Sequence, residues 1–171
     1  MGMTRVWAAV FMLFAGAALA ATQQETFGLG PFDPVPERVV KMDEDLSIRL
    51  RILDSEGALA TVVPEPEILQ AELSFIAREG AVDREVRLIC TASFMMADGY
   101  GSDDIINKRP CYRGRLSDAT GVFVPLKFNL RFRPDATDQA GSSGVHVQIY
   151  DKAADKHLII WATYDWQGGW K

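Results

Sequence analysis

The two histidines, His146 and His157, carry the most versatile chemistry in this chain, because imidazole can move protons or ligate a metal near neutral pH. They flank residues 151–156, which have the composition of a turn between two strands. A turn there places Tyr150 opposite His157. It also places His146 opposite Trp161. The two imidazoles then lie roughly 13–14 Å apart at about 3.4 Å per residue, too far to share a metal. The sequence therefore predicts no metal site and no cofactor.

The two faces of this predicted hairpin differ sharply in composition. One face is apolar and is expected to face the core: Val145, Val147, Ile149, Leu158, Ile160, Ala162 and Tyr164. The other face is unusually aromatic for a solvated surface: His146, Gln148, Tyr150, His157, Ile159 and Trp161. Tyrosine and tryptophan are enriched where partners dock. Two interpretations stay open, a binding surface or a face covered by the N-terminal lead-in or the tryptophan-bearing tail. His146, Tyr150, His157 and Trp161 are the candidate binding residues.

The two cysteines, Cys90 and Cys111, are the only ones in the chain. A metal pair or a catalytic thiol would need histidine partners, and neither histidine is near them in sequence. In an exported protein, two cysteines are the minimum for one disulfide. Cys90 falls on the apolar side of an alternating segment, as a structural half-cystine should. The sequence predicts a Cys90–Cys111 disulfide that ties back the segment between them.

The polar segment 98–104 within this span is predicted to be a projecting loop, because it is rich in glycine and aspartate. It fails the EF-hand pattern, since Tyr100 stands where a ligand should and no glutamate closes the loop. Weak calcium binding and a plain solvated loop remain alternatives. A loop held by a disulfide is also suited to recognition, because preorganisation lowers the ordering cost. Tyr100, Asp103 and Asp104 are therefore further candidate binding residues.

Five basic residues are predicted to face outward on alternating strands: Arg49, Arg51, Lys127, Arg131 and Arg133. If their strands are neighbours, these side chains form a basic stripe suited to an anionic polymer or an acidic partner. The alternative is a solvated sheet face whose charges oppose edge aggregation.

Catalytic motifs are missing from the sequence. It contains no G-x-S-x-G, no H-E-x-x-H, no P-loop and no dinucleotide-binding glycine pattern after a strand. A Ser/His/Asp set assembled from Ser142, Ser143, His146 and Asp165 carries almost no weight, because any domain of this size offers as much. No catalytic residue is predicted, and no motif resembles a known family closely enough to name one.

The N-terminus has the pattern of an export signal. A short segment with Arg5 precedes an uncharged apolar stretch at 6–19, and Ala18-Leu19-Ala20 fits a small-x-small cleavage site. The alternative is a membrane anchor, but a span needs about 20 apolar residues. We expect cleavage near Ala20, a periplasmic or secreted protein and no membrane span afterwards. Loss of Arg5 changes the formal charge from −5 to −6 (17 basic minus 23 acidic), which disfavours nucleic-acid binding.

Short alternating segments separated by turn residues dominate the rest of the chain. They predict strands at 46–53, 58–63, 86–96, 112–116, 122–133, 145–150 and 157–165, with a short edge strand at 39–40. Residues 68–77 fit a strand or a helix, and their neighbours favour a strand. Pro125 requires its strand to be at an edge or bulged. The predicted fold is all-β, an antiparallel β-sandwich of seven to eight strands, immunoglobulin-like in the loose sense. Residues 1–20 form the signal peptide, 21–37 an extended lead-in and 38–171 the domain.

Together these patterns predict an exported, non-enzymatic binding or accessory module that recognises a protein or an envelope polymer. A small periplasmic hydrolase using a surface histidine is one alternative. A structural subunit of an envelope complex, which would use an exposed sheet edge for strand addition, is another.

Overall fold

The computed structural model describes residues 22–29, 35–61, 70–96, 102–127 and 141–166. Within these residues the chain forms nine β-strands, one short 3-10 helix at Leu116–Asp118, and no α-helix. The strands are β1 (Thr22–Leu29), β2 (Glu37–Lys41), β3 (Leu46–Leu53), β4 (Gln70–Ala77), β5 (Glu85–Met96), β6 (Ser102–Arg115), β7 (Phe123–Lys127), β8 (Gly141–Asp151) and β9 (Lys156–Trp166). In these parts of the chain, no helix has the length and apolar character needed to cross a bilayer.

The strands form two sheets. The five-stranded sheet has the order β1-β9-β8-β5-β6, and the four-stranded sheet has the order β2-β3-β4-β7. All neighbouring strands are antiparallel except β1 and β9, which run parallel. The predicted all-β class with mainly antiparallel strands is confirmed.

Both sheets contribute to one hydrophobic core, as alternation along the strands dictates. In β3 the inward side chains are fully buried: Leu46, Ile48, Leu50 and Ile52. The hairpin β8–β9 supplies buried residues from the other sheet: Val145, Val147, Ile149, Leu158, Ile160 and Ala162. These residues belong to one continuous apolar cluster. The core face predicted for this hairpin is confirmed at these positions.

The predicted disulfide is present. Cys90 and Cys111 are bonded, with their Cα atoms 5.8 Å apart, and Cys90 is fully buried. The bond joins the neighbouring strands β5 and β6 of one sheet. Part of the predicted loop 98–104 is strand instead, because Asp103 and Asp104 pair with β5 at the start of β6.

Other strand predictions differ from the structure in informative ways. Residues 70–77 are strand β4, as their neighbours favoured. Of the predicted strand 58–63, the described residues show only one bridge, between Leu53 and Leu59. In the described part of its sheet, strand β7 is at an edge, which is one of the two alternatives that Pro125 allowed; residues 128–133 lie outside the described part. The segment expected as a lead-in contributes strand β1.

Strand β6 is far longer than the predicted 112–116. Its pairing with β5 contains three register shifts, and Lys108 adopts a positive φ of 45°. Each bulge resets which side chains face inward. The period-two pattern is therefore broken along β6, although the backbone continues to pair.

A buried ion-pair network connects the two sheets at one end. Arg84, just before β5, donates from Nη1 to Asp151 Oδ2 at 2.8 Å and from Nη2 to Asp43 Oδ2 at 2.5 Å. Asp151 ends β8 and is 0% exposed, whereas Asp43 lies in the turn between β2 and β3. The other oxygen of Asp151 accepts the backbone N–H groups of Arg87 at 3.2 Å and Ala153 at 3.0 Å. The buried carboxylate is thus paired and hydrogen-bonded on both oxygens.

The charge of Arg84 is reinforced by the same contacts. Burial acts to lower the pKa of Arg84, but the hydrogen bond to Asp151 and the charges of Asp43 and Asp151 outweigh it and raise that pKa above its ordinary value. Arg84 therefore stays charged and holds both carboxylates.

Replacing Asp151 with alanine should destabilise the fold strongly, because the Arg84 guanidinium and two backbone N–H groups would lose their partner. We expect a loss of about 3–5 kcal/mol in the free energy of unfolding, measured by urea denaturation. Asp118→Ala, which removes an exposed carboxylate from the 3-10 helix, is the matched control and should change stability by less than about 0.5 kcal/mol. Equal effects for the two variants would show that the network does not hold the sheets.

Candidate functional site

The predicted register of the histidine hairpin is confirmed. Strands β8 and β9 pair Tyr150 with His157, Gln148 with Ile159 and His146 with Trp161. Because paired positions of a sheet share a face, all six side chains lie on the side opposite the core. The imidazoles stay four positions apart along the strands.

Each histidine is stacked on the aromatic ring opposite it. The ring centroids of His146 and Trp161 are 4.1 Å apart with an interplanar angle of 30°. Those of Tyr150 and His157 are 4.2 Å apart at 16°. Aromatic pairs of this kind contribute about 0.5–1.5 kcal/mol beyond their buried area. The four rings are therefore held in two fixed cross-strand pairs.

The flanking strands extend this surface on both sides. Strand β1 places Thr22, Gln24 and Thr26 beside β9, and β5 places Ile89, Thr91 and Ser93 beside β8. We call the resulting surface the aromatic face; its twelve positions, three from each of four strands, are Thr22, Gln24, Thr26, His157, Ile159, Trp161, His146, Gln148, Tyr150, Ile89, Thr91 and Ser93. None of these positions carries Asp, Glu, Lys or Arg.

The position of β1 bears on what covers the aromatic face. Residues 22–29 of the expected lead-in pair edge-on with β9 and do not lie over the rings. They widen the face by one strand. The tail residues 167–171 lie outside the described part. Sequence reasoning missed the contributions of β1 and β5, because strand order cannot be read from alternation within a single hairpin.

Of the two histidines, His146 is the more enclosed. It is half-buried, its strand neighbour Ser93 is 5% exposed, and its Nε2 lies 3.4 Å from the Gln148 amide nitrogen. Burial lowers the pKa of His146 below its ordinary value, because a charged imidazole loses solvation there. His146 is therefore neutral at pH 7 and presents an uncharged ring to the surface.

The side chain of Tyr150 is held in place by a residue of the turn between β8 and β9. Its hydroxyl donates to Asp155 Oδ1 at 3.1 Å, and Asp155 adopts a positive φ of 50° in the turn between β8 and β9. This hydrogen bond, followed by burial and the charges of Asp155 and Asp151, raises the pKa of Tyr150. The contact holds the Tyr150 hydroxyl towards the turn while its ring stacks on His157.

Of the candidate binding residues in segment 98–104, the structure describes only the backbone of Asp103 and Asp104. Tyr100 lies outside the described residues. The backbone of Asp104 pairs with Ser93, and Ser93 pairs on its other side with His146. From the sequence, the acidic segment and the histidine hairpin are expected to form separate surfaces. The strand register instead places Asp104, His146 and Trp161 in one row across the sheet. Register across β5 is a tertiary property, and no local pattern could have shown it.

The described residues do not form a basic stripe, because the strands that carry them are not neighbours. Arg49 and Arg51 lie on β3 and Lys127 on β7, with β4 between the two strands. Arg51 is also neutralised, since its guanidinium lies 3.2 Å from Glu37 and 3.4 Å from Glu72. Opposite charges interleave on this face. Arg131 and Arg133 fall outside the described part of the chain.

Across the described residues, no three His, Cys, Asp or Glu side chains lie close enough to one another to hold a metal ion. Shallow depressions lie away from the aromatic face, one lined by Arg84, Arg87 and Lys152 and another by Arg78 and Thr120. The side chains of Ser142, Ser143 and Asp165 lie outside what the structure describes.

Comparison of the chain with protein-family models, with curated proteins and with solved structures finds no match.

The lowered pKa of His146 predicts a pH dependence of stability. The unfolded imidazole titrates near 6.5, above the folded value, so the unfolded chain binds more protons in the window between the two. The free energy of unfolding should therefore fall as pH drops from about 7.5 through about 6. Urea denaturation at several pH values measures this slope.

A His146→Gln variant should lose this part of the slope, because glutamine does not titrate. His157→Gln leaves His146 stacked on Trp161 and serves as the matched control. The explanation is rejected if His146→Gln and wild type lose stability equally on acidification.

Proposed function

We propose that this chain is an exported, non-enzymatic binding or accessory module that recognises a protein or an envelope polymer through its aromatic face. The observation that carries the proposal is the pair of fixed ring stacks on an uncharged surface four strands wide. Interface centres are depleted of charged residues and enriched in aromatic ones.

Preorganisation of the rings supports this proposal. A flexible aromatic side chain loses about 0.5–1.5 kcal/mol of rotamer freedom when a partner immobilises it. Here Trp161 is already stacked on His146, and Tyr150 is held by both His157 and Asp155. Much of this ordering cost is met on folding, so a docking partner gains more of the contact energy.

The histidines also favour binding over hydrolysis. A histidine that acts as a general base is normally oriented by a carboxylate or similar group. Among the described side chains, each histidine instead contacts an aromatic ring, and none forms an ion pair with an acidic group. Lowering the pKa of His146 by burial keeps its ring neutral, which suits an apolar contact.

Export is supported by two independent features. The N-terminal pattern ending at Ala18-Leu19-Ala20 has the layout of a signal peptide, and a disulfide persists in an oxidising compartment. Cleavage near Ala20 would leave β1 whole, since that strand begins at Thr22. We assign the mature protein to the periplasm or the extracellular space.

For the architecture, we propose that the two sheets form a β-sandwich that is immunoglobulin-like in the loose sense. A core shared by both sheets supports this arrangement. The parallel β1–β9 pair and the disulfide within one sheet are departures from the antibody-type domain.

The binding role can be tested with chain purified from the exported fraction and immobilised. The probes are an envelope protein extract and insoluble cell-wall polymer. We expect Trp161→Ala to weaken capture of the partner by at least about tenfold, because tryptophans at interface centres are frequent hot spots. Trp161 is half-buried on the outer side of its sheet, so its removal should leave the core intact.

Phe123→Ala is the matched control. Phe123 is an aromatic side chain, 59% exposed, on the four-stranded sheet. The Phe123→Ala variant should capture the same partners as wild type, with unchanged affinity. If Trp161→Ala keeps every partner of the wild type, or if Phe123→Ala loses the same ones, the aromatic face is not the binding surface.

A further inference from the structure

In the part of the chain that the structure describes, the two sheets have four edge strands, and three of these carry features that oppose pairing with another chain. β6 contains Pro110 and three register shifts. β7 contains Pro125. β2 is five residues long and carries Arg38 and Lys41. Prolines, bulges, shortness and basic side chains are the usual devices that block edge-to-edge association.

The fourth edge, β1, has almost none of these features. It is eight residues long, Thr22–Leu29, and contains no proline, lysine or arginine. Its one charged residue is Glu25. In the described residues β1 pairs only with β9, so its other side is a regular row of backbone donors and acceptors. Among the described edges, β1 is therefore the one best suited to pairing with another strand.

The orientation of the β1 backbone can be read from one contact. The Thr163 hydroxyl on β9 donates to the Phe27 carbonyl oxygen at 3.3 Å, so that carbonyl points towards β9. Successive backbone groups point in opposite directions along a strand. The N–H and C=O groups of Thr22, Gln24 and Thr26 therefore point away from β9, to the open edge.

We propose that β1 pairs antiparallel with β1 of a second copy of this chain, about a twofold axis at Gln24. An isologous contact of this kind is the commonest way for identical chains to associate. It would join two five-stranded sheets into one continuous ten-stranded sheet.

The sequence of β1 is self-complementary in this register. Gln24 lies opposite Gln24, and the outward-pointing backbone groups make it a doubly hydrogen-bonded pair. Gln23 lies opposite Glu25, an amide against a carboxylate, and these side chains are already within 3.4 Å of each other inside one chain. A register centred on Glu25 would instead place two carboxylates in contact, which is destabilising.

This inference is independent of the proposed function, but it would affect how the aromatic face works. Strand β1 lies next to β9, so the twofold pairing puts two aromatic faces on one sheet. An extended partner or a polymer could then be bound at two sites, which raises overall avidity without any new contact.

Cysteine cross-linking tests the register directly. The native cysteines are bonded to each other, so Gln24→Cys adds a single free thiol. In the proposed pair the two Cα atoms at this position are about 5.5 Å apart, within the span of a disulfide. Under mild oxidation we expect Gln24→Cys to form a covalent dimer. Val39→Cys, at a position 47% exposed on the edge strand β2, is the control and should not.

Sedimentation of the unoxidised full chain tests the association itself. Wild type should show a concentration-dependent monomer–dimer equilibrium. Gln24→Lys, which sets two lysines opposite each other, should weaken it by at least about tenfold. Gln23→Lys sets lysine opposite Glu25 and should dimerise at least as well as wild type.

Far-UV circular dichroism checks that each variant keeps the fold. The cysteine cross-linking experiment gives its result without the lysine variants, so it remains a test if one of them fails to fold. The proposal is overturned if wild type stays monomeric up to its solubility limit, or if Gln24→Cys cross-links no better than Val39→Cys. Equal weakening by Gln23→Lys and Gln24→Lys would overturn the register. Partner capture by the aromatic face is measured separately, so either proposal can fail alone.

Discussion

The burial of Asp151 is the constraint on which much of this structure depends. An unpaired buried carboxylate costs several kcal/mol, so Arg84 must be present and must point inward from the start of β5. The same guanidinium also binds Asp43 in the turn between β2 and β3, which connects the two sheets. One ionic group thus sets how β5, β8 and the four-stranded sheet meet at this end.

That constraint extends to the register of the β8–β9 hairpin. Asp151 is the last residue of β8 and pairs with Lys156 at the turn. A slip by one residue would move Asp151 out of reach of Arg84 and turn every core side chain of β8 to solvent. With the register held, Tyr150 and His157 meet, and so do His146 and Trp161. The aromatic face is therefore a consequence of the core and of the buried carboxylate.

The parts of the fold that sequence could predict are those governed by local periodicity. The hairpin register, the core face of β8 and β9 and the Cys90–Cys111 bond all follow from alternation and cysteine count. The secondary structure of residues 68–77 is ambiguous in the sequence, because their composition also suits a helix. Backbone pairing of β4 with β3 on one side and β7 on the other makes residues 70–77 a strand. Strand β6 was largely missed because its bulges break the period.

Long-range features were beyond such reasoning. Arg84 and Asp151 are separated by 67 residues, and nothing local marks them as partners. The sequence predicts an extended lead-in where β1 lies, because the polar residues there do not alternate with apolar ones. It joins the sheet through backbone pairing, and Phe27 is its one buried side chain among those described. The candidate site is predictable only in part for the same reason. The residue pairs of the β8–β9 hairpin follow from local alternation, whereas the neighbouring positions of β1 and β5 depend on strand order.

The outer face of the four-stranded sheet and the aromatic face differ in their charge, and this difference separates the predicted basic stripe from the proposed binding surface. On the four-stranded sheet Arg51 lies between Glu37 and Glu72, so basic and acidic side chains neutralise one another in place. On the five-stranded sheet the twelve positions of the aromatic face carry no formal charge, whereas Glu85 and Arg87, further along the outer side of β5, form an ion pair at 2.8 Å. Desolvating a charged pair on docking costs more than desolvating neutral rings. The aromatic face is therefore the surface whose burial by a partner is energetically cheaper.

The edge strand and the aromatic face are mechanically linked, because β9 carries His157 and Trp161 and is also the strand on which β1 rests. In the described residues β1 is held on one side only, by its backbone pairing with β9, the buried Phe27 and the Thr163 hydroxyl. An edge strand held in this way opens at lower free energy than a central strand. A second strand on its free side would make β1 a central strand, and the outer boundary of the aromatic face would become more rigid. Association at the edge would thus lower the entropy that a ligand must still remove when it binds the rings, so edge pairing and ring binding should favour each other.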